Sequence, residues 1–192
     1  MNALPNPVSR GRERGISLII VLILLVVIGL TAATAMRGAT SSQRVTNNVR
    51  MDNLAQQYAE SALRYCEAQL QLADAARVNS LKLAVIPAVN MTVVGTVGAW
   101  EQTVSWTGVP GSGGASATRT VLPAAQYSTA GVSSSVPARP PECVAETQTL
   151  AGSPTFTVTV VTARGFSPDY TNDGAGNTVS GAVVWLQSIL NL

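Results

Sequence analysis

The residue types that most often carry enzyme chemistry are scarce in this chain. Histidine is absent from all 192 residues, which removes Ser-His and Cys-His nucleophile pairs, the usual zinc sites and the commonest general base. The glycine-rich stretch Gly111–Gly114 lacks the lysine and the strand–helix context of a phosphate-binding loop. We therefore expect no catalytic residue, no cofactor site and no enzyme activity.

One short stretch has the spacing of a cation-binding loop. Between Asp169 and Asn177, oxygen-bearing side chains stand at alternate positions, and Gly174 lies where an EF-hand-like calcium loop turns sharply. The twelfth position is Ser180, however, where such a loop needs a bidentate glutamate, and no helix is predicted on either side. Because Asp, Asn and Gly are also common in hairpin turns, an ordinary turn is the favoured interpretation and calcium binding the alternative.

The two cysteines, Cys66 and Cys143, are a pair with defined chemistry. Their spacing excludes a C-x-x-C redox or zinc motif. In a protein that folds outside the cytoplasm such a pair usually forms a disulfide, and two buried free thiols are the alternative. Closing a loop of this length would stabilise the fold by about 4–5 kcal/mol on the chain-entropy model. We predict the disulfide.

The N-terminal part is dominated by an uncharged apolar stretch, Ile16–Met36. At about 1.5 Å per residue, a helix of this length covers ~30 Å, which matches the hydrocarbon core of a bilayer. Arg10, Arg12 and Arg14 precede it, and positive charge in this place favours a cytoplasmic N-terminus. The sequence therefore predicts one membrane-spanning segment at residues 16–36, with everything after Arg37 outside the cytoplasm.

Helical signals continue beyond the apolar stretch. No proline occurs between Pro7 and Pro87, and residues 43–77 are mostly good helix formers. The apolar residues there recur at spacings of three and four and so share one face: Ala55, Ala59, Ala62, Leu63, Cys66, Leu70 and Ala73. We predict an amphipathic second half of the helix at residues 37–77, whose apolar stripe needs a globular domain to cover it.

Residues 78–192 are predicted to form that domain. Trp100, Val104 and Trp106 alternate with polar residues, which predicts a strand with both tryptophans on one face. Packing of these tryptophans against the helix is the favoured interpretation, and a platform that stacks a ligand is the alternative.

The strongest strand signal is the run TFTVTVVTA at residues 155–163, in which apolar and threonine side chains alternate. Residues 179–190 predict its antiparallel partner, joined to it by a long loop. Helix and strands together predict an α+β fold, in which a small antiparallel sheet of three to five strands packs on the C-terminal half of a long N-terminal helix.

The charge of the chain argues against nucleic acid as a partner. The formal net charge is +2, and the N-terminal Arg10, Arg12, Glu13 and Arg14 account for that excess. The remaining arginines are scattered and Lys82 is the only lysine, so no basic patch of nucleic-acid type is expected.

The start of the chain resembles a type IV pilin precursor. A short polar leader, residues 1–15, ends in Arg14-Gly15, and the apolar run opens with Ile16-Ser17-Leu18-Ile19. The resemblance implies that a prepilin peptidase cuts after Gly15 and methylates the new N-terminus at Ile16. It also implies a single-pass inner-membrane protein with a periplasmic C-terminus, which later enters an extracellular pilus.

One departure from the pilin pattern is informative. Most pilins have a glutamate at the fifth mature position, where this chain has Ile20. That difference is similar to some minor pilins and pseudopilins, which start or cap a fibre. Four further stretches resemble PilX-type minor pilins: Arg44–Arg50, Ala55–Leu63, Thr162–Gly165 and Val184–Ser188. The implied partners are other minor pilins and a major pilin.

Two other origins of the apolar stretch remain open. It could be a secretory signal peptide cut after Ala33-Thr34-Ala35, or an uncleaved anchor. Either would make the chain a secreted or membrane-anchored binding or adhesion domain. A type II secretion pseudopilin is a further alternative. Continuation of the helix beyond Met36 favours the pilin.

Overall fold

The structure, a computed structural model, describes residues 16–107, 119–128, 136–174 and 177–191. Its one long helix, α1, runs from Ile16 to Leu70. The chain divides into two compact units after Asn47, so α1 continues from the first unit into the second.

Helix α1 ends at Leu70, before residue 77 where the sequence predicted its end. The backbone is extended at Ala73, and a short 3₁₀ turn follows at Asp74–Ala76. The Arg77 guanidinium donates to the carbonyl oxygen of Leu70 at 2.6 Å and to that of Leu72 at 3.0 Å. A cation that satisfies the last carbonyl groups is favourable at a helix C-terminus, which accounts for the earlier end.

The sheet is mixed, which corrects the prediction of a purely antiparallel one. Three long strands form its centre and one edge: β3 (Glu142–Leu150), β4 (Phe156–Phe166) and β7 (Val183–Leu190). Each of these pairs antiparallel with the next. On the other side of β3, strand β1 (Ala88–Asn90) pairs parallel and strand β2 (Thr120–Val121) antiparallel. The α+β fold class is confirmed, with five strands in this sheet.

The predicted pairing of the two C-terminal strands is confirmed, since β4 lies antiparallel to β7. The predicted strand over residues 179–190 is interrupted, however. Gly181, with a φ of +77°, separates strand β6 (Thr178–Ser180) from β7. Strand β6 turns away to pair with the two-residue strand β5 (Thr171–Asn172). Glycine is the residue that adopts this left-handed conformation without strain.

The predicted strand at Trp100–Trp106 is wrong. The chain forms two 3₁₀ turns there, Ala99–Glu101 and Thr103–Trp106. The backbone N–H of Ala99 donates to the buried Glu146 carboxylate, and the Trp106 indole N–H donates to the Trp100 carbonyl oxygen at 2.7 Å. These side-chain bonds favour turns over an extended ladder at this place.

The core lies between the second half of α1 and the sheet. Its buried members come from α1, from Leu81 and from strands β3 and β4: Ala62, Cys66, Leu70, Leu81, Cys143, Ala145, Val161 and Ala163. Small residues on both surfaces let the helix come close to β4. At Gly165 the two backbones are so near that an added Cβ would collide with backbone atoms of Ala55 and Ala59.

Candidate functional site

The first half of α1 presents an apolar surface. Every aliphatic side chain from Leu18 to Leu30 is at least half exposed. The helix is long and apolar enough to span a membrane. Such a surface is unfavourable in water and needs lipid or similar helices around it.

Two threonine hydroxyls within this surface form hydrogen bonds inside the helix. The Thr31 hydroxyl donates to the Ile28 carbonyl oxygen, and the Thr34 hydroxyl to that of Thr31, each at 2.9 Å. Threonine hydroxyls bonded back to the helix in this way need no partner from water. The segment therefore suits an environment without water.

Ile20 lies on this surface with 52% of its area exposed. No aspartate or glutamate occurs before Asp52 in the helix, so this half offers no carboxylate to a neighbour. Ile16 is the first residue of α1, and Gly15 lies outside the described residues. Cleavage between them stays a prediction.

Cys66 of α1 and Cys143 of β3 are joined in a disulfide, with 6.7 Å between their Cα atoms. Both residues are fully buried in the core. The bond therefore ties the helix to the central strand of the sheet and is screened from solvent reductants.

The stretch 169–177 has the contacts of a hairpin turn. The Asp173 carboxylate accepts hydrogen bonds from the backbone N–H of Asn177 at 2.8 Å and from its side-chain amide at 2.9 Å. The Asp169 carboxylate accepts from the Ser167 hydroxyl at 2.6 Å. Within the part of the chain that the structure describes, no three His, Cys, Asp or Glu side chains group as metal ligands. These contacts favour the turn interpretation over calcium.

A buried carboxylate, Glu142, lies among three arginines that sequence reasoning did not connect. Glu142 begins β3, and its side chain is 2% exposed. It forms ion pairs with Arg164, with Arg139 at 3.2 Å and with Arg119 at 3.5 Å. Arg139 lies three residues before Glu142, but Arg119 and Arg164 are distant in sequence, and the pairing of β3 with β4 places Glu142 opposite Arg164. No sequence signal available to us predicts the cluster.

Aromatic rings complete this cluster. The Arg164 guanidinium lies 4.4 Å from the centre of the Trp106 ring and 5.2 Å from that of Trp185. The Trp106 and Trp185 rings meet edge to face at 4.8 Å. Burial lowers the pKa of Arg164, and the adjacent Glu142 carboxylate opposes that lowering.

An exposed apolar helix that continues into a small α+β unit is the arrangement of a pilin-like protein. Residues 14–64 match the PilX N-terminal family. The resemblance to PilX-type pilins is thereby confirmed over this quarter of the chain, which is similar to pilins of type IV pili. No curated protein and no solved structure matches the chain. The resemblances at Thr162–Gly165 and Val184–Ser188 stay predictions.

Proposed function

We propose that this chain is a minor pilin, a structural subunit that starts a type IV pilus or forms its tip. Residues 1–15 are the leader, 16–36 the membrane-spanning and assembly segment, and the rest lies first in the periplasm and then on the pilus. The observation that carries the proposal is Ile20, on an apolar helix surface without a carboxylate before Asp52.

The argument is electrostatic. Cleavage before Ile16 would leave an ammonium group at the start of α1. In the core of a bundle of apolar helices, an unpaired charge is costly because the surroundings have a low dielectric constant. The N-terminal ammonium of this subunit can pair with a carboxylate of the neighbour below it. The subunit has no carboxylate in this segment to pair with the ammonium of the neighbour above. Stacking of identical copies is therefore unfavourable, and the subunit belongs at an end of the fibre together with other minor pilins and a major pilin.

The test is to restore the missing carboxylate. Ile20→Glu should raise the amount of this subunit in sheared pili and spread immunogold label along the shaft. Ile20→Gln, a polar change of the same length without charge, is the matched control and should leave the label at fibre ends. Wild-type label that already covers filaments uniformly, or equal effects of Glu and Gln, would contradict the proposal.

Loss of the subunit gives a second readout. An initiating subunit should be scarce, and its deletion should reduce the number of pili per cell more than their length. A deletion strain with normal pilus number and altered adhesion would favour a membrane-anchored binding domain instead. Assembly into a secretion-system fibre, and not into surface pili, would favour the pseudopilin.

A further inference from the structure

The cluster around Glu142 carries more positive than negative charge. Arg119, Arg139 and Arg164 share one carboxylate, and the side chains of Arg119 and Arg164 are each 13% exposed. Arginine stays protonated in proteins, so the cluster has two positive charges in excess. Charges held this far from water are costly without a counter-charge.

Among the described residues no second carboxylate forms an ion pair with them; Glu101 lines the same cleft, described below, but lies beyond ion-pair distance. In the described part, Glu142 is the only acid within ion-pair distance of these arginines. Residues 108–118, 129–135 and 175–176, which lie outside the described ranges, contain neither aspartate nor glutamate in the sequence. The end of β7 lies away from the cluster, because its last residue, Leu190, pairs with Thr159 and not with Arg164. A carboxylate of a ligand would supply the counter-charge that the described residues leave unmet.

The arginines also have hydrogen-bond donors without an acceptor among the described residues. In the part of the chain that the structure describes, the three guanidinium groups share two acceptors, the Glu142 carboxylate and the Trp106 carbonyl oxygen. The Arg119 Nε is buried and has no hydrogen-bond partner among the described residues. A ligand with carboxylate oxygens would supply such acceptors.

The arginines open onto a cleft of about 590 Å³, which we call the arginine–tryptophan cleft. It is lined by Arg119, Arg139, Arg164, Trp100, Trp106 and Trp185, and also by Tyr170, one carboxylate (Glu101) and smaller residues. Trp185 is 44% exposed and so has an apolar surface free in the cleft. The volume falls within the range of small-molecule sites, about 300–1,000 Å³.

We propose that the arginine–tryptophan cleft binds a saccharide that carries a carboxylate, such as a uronic or sialic acid residue. The arginines pair with the carboxylate, and the indole of Trp185 packs against the C–H face of the sugar ring. Asn172 and Asn177 line the same cleft, and each uses its amide N–H on Asp173. Neither side-chain carbonyl oxygen accepts a hydrogen bond from another described residue, so both can accept from sugar hydroxyls. Neutral acceptors of this kind suit a sugar better than an acidic peptide.

The three tryptophans of the chain all line this cleft, so intrinsic fluorescence reports on it alone. Purified full chain in detergent is titrated with trigalacturonate and with sialyllactose at constant ionic strength. At least one should give a saturable change. Fully methyl-esterified trigalacturonate and lactose, which have the sugar without the charge, should give none.

Two pairs of variants separate the site from the fold. Arg139→Gln removes the most exposed of the three arginines and should weaken binding roughly ten- to hundredfold. Its control is Arg64→Gln, which removes an exposed arginine on α1 that is paired with Glu60. Thr103→Glu adds a carboxylate at the exposed rim of the cleft and should also weaken binding, whereas Thr103→Gln should not. The second pair leaves the buried cluster intact, so the test does not depend on the folding of Arg139→Gln.

Three results would overturn the proposal. The first is no saturable change with either acidic sugar. The second is binding of triglutamate or of acetate that is as tight as, or tighter than, binding of the acidic sugars. Triglutamate binding would identify the ligand as an acidic peptide, and acetate binding would show that any carboxylate suffices. The third is undiminished affinity in both Thr103→Glu and a folded Arg139→Gln. None of these measurements depends on pilus assembly, so their outcome does not test the minor-pilin proposal.

Discussion

At the scale of single residues, Gly165 shows how a small side chain sets the packing of this protein. It lies in β4 under the second half of α1, where the backbone of the helix occupies the space that a Cβ would need. The sequence indicated Gly165 only through its resemblance to pilins. The structure supplies the physical reason, since any side chain there would force the helix away from the sheet.

We therefore expect Gly165→Ala to lower the free energy of unfolding by about 1–3 kcal/mol or more, the usual range for overpacking. Urea denaturation of the full chain in detergent, followed by tryptophan fluorescence, measures it. Gly174→Ala is the control, because an added Cβ there would meet no atom within 4 Å. Equal stability of the two variants would show that helix and strand do not meet as described.

Glu142 is the second residue with a large expected effect. Glu142→Gln leaves three arginines without their shared carboxylate and should cost about 3–5 kcal/mol of unfolding free energy. Glu60→Gln breaks an exposed pair with Arg64 at 3.9 Å and should cost less than about 1 kcal/mol. The same urea titration compares them. A Glu142 variant as stable as the Glu60 variant would mean that the arginines do not depend on this carboxylate.

At the scale of elements, the disulfide joins the last turns of α1 to β3. Cys143→Ser should lower the free energy of unfolding by about 2–5 kcal/mol. The matched control is the double variant Cys66→Ser with Cys143→Ser, which removes the bond without leaving a free thiol. Both should unfold at similar urea concentrations, and wild type treated with reductant in urea should match them. Free thiols on both residues in protein matured in the periplasm would contradict the bond.

Elements in which apolar residues recur at regular spacing could be predicted from the sequence. Helix α1 has an apolar stretch followed by an apolar stripe, and β4 alternates apolar and threonine residues, so both were placed correctly to within a few residues. The apolar stripe of α1 packs on the sheet, whereas β4 is buried on both faces from Thr159 to Ala163 and contributes Val161 and Ala163 to the core shared with the helix. The helix end was less well placed, since it depends on Arg77, whose contact with Leu70 is not visible in a propensity pattern.

Elements fixed by tertiary contacts were not predictable. Strand β3 follows Pro140-Pro141, and the residues at its start are buried on both faces, so no alternation marks it. Trp100–Trp106 alternates like a strand but forms turns, because Glu146 binds the backbone at Ala99. In both cases a partner distant in sequence decides the local structure.

At the scale of the whole molecule, the identity of the mature N-terminus distinguishes the remaining interpretations. Intact mass and N-terminal sequencing of protein from membranes with prepilin peptidase should give Ile16. A start at Met36 would indicate a secreted protein, and a start at Met1 an uncleaved anchor.

Gly15→Leu should block this cleavage because a bulky residue replaces the glycine before the cut. Gly11→Leu, a similar change elsewhere in the leader, is the control and should mature normally. Normal maturation of the Gly15 variant would show that the leader ends elsewhere.

The link between Cys66 and Cys143 also determines how the globular unit carries mechanical load. A pull on the second half of α1 along its axis reaches Cys66 before the helix ends at Leu70. From there a covalent bond passes the force to β3, a strand with neighbours on both sides. The turns before Cys66 are held to the sheet by packing alone, so a pull can detach them, but the separation stops at the disulfide and the last turn of the helix stays attached to the sheet.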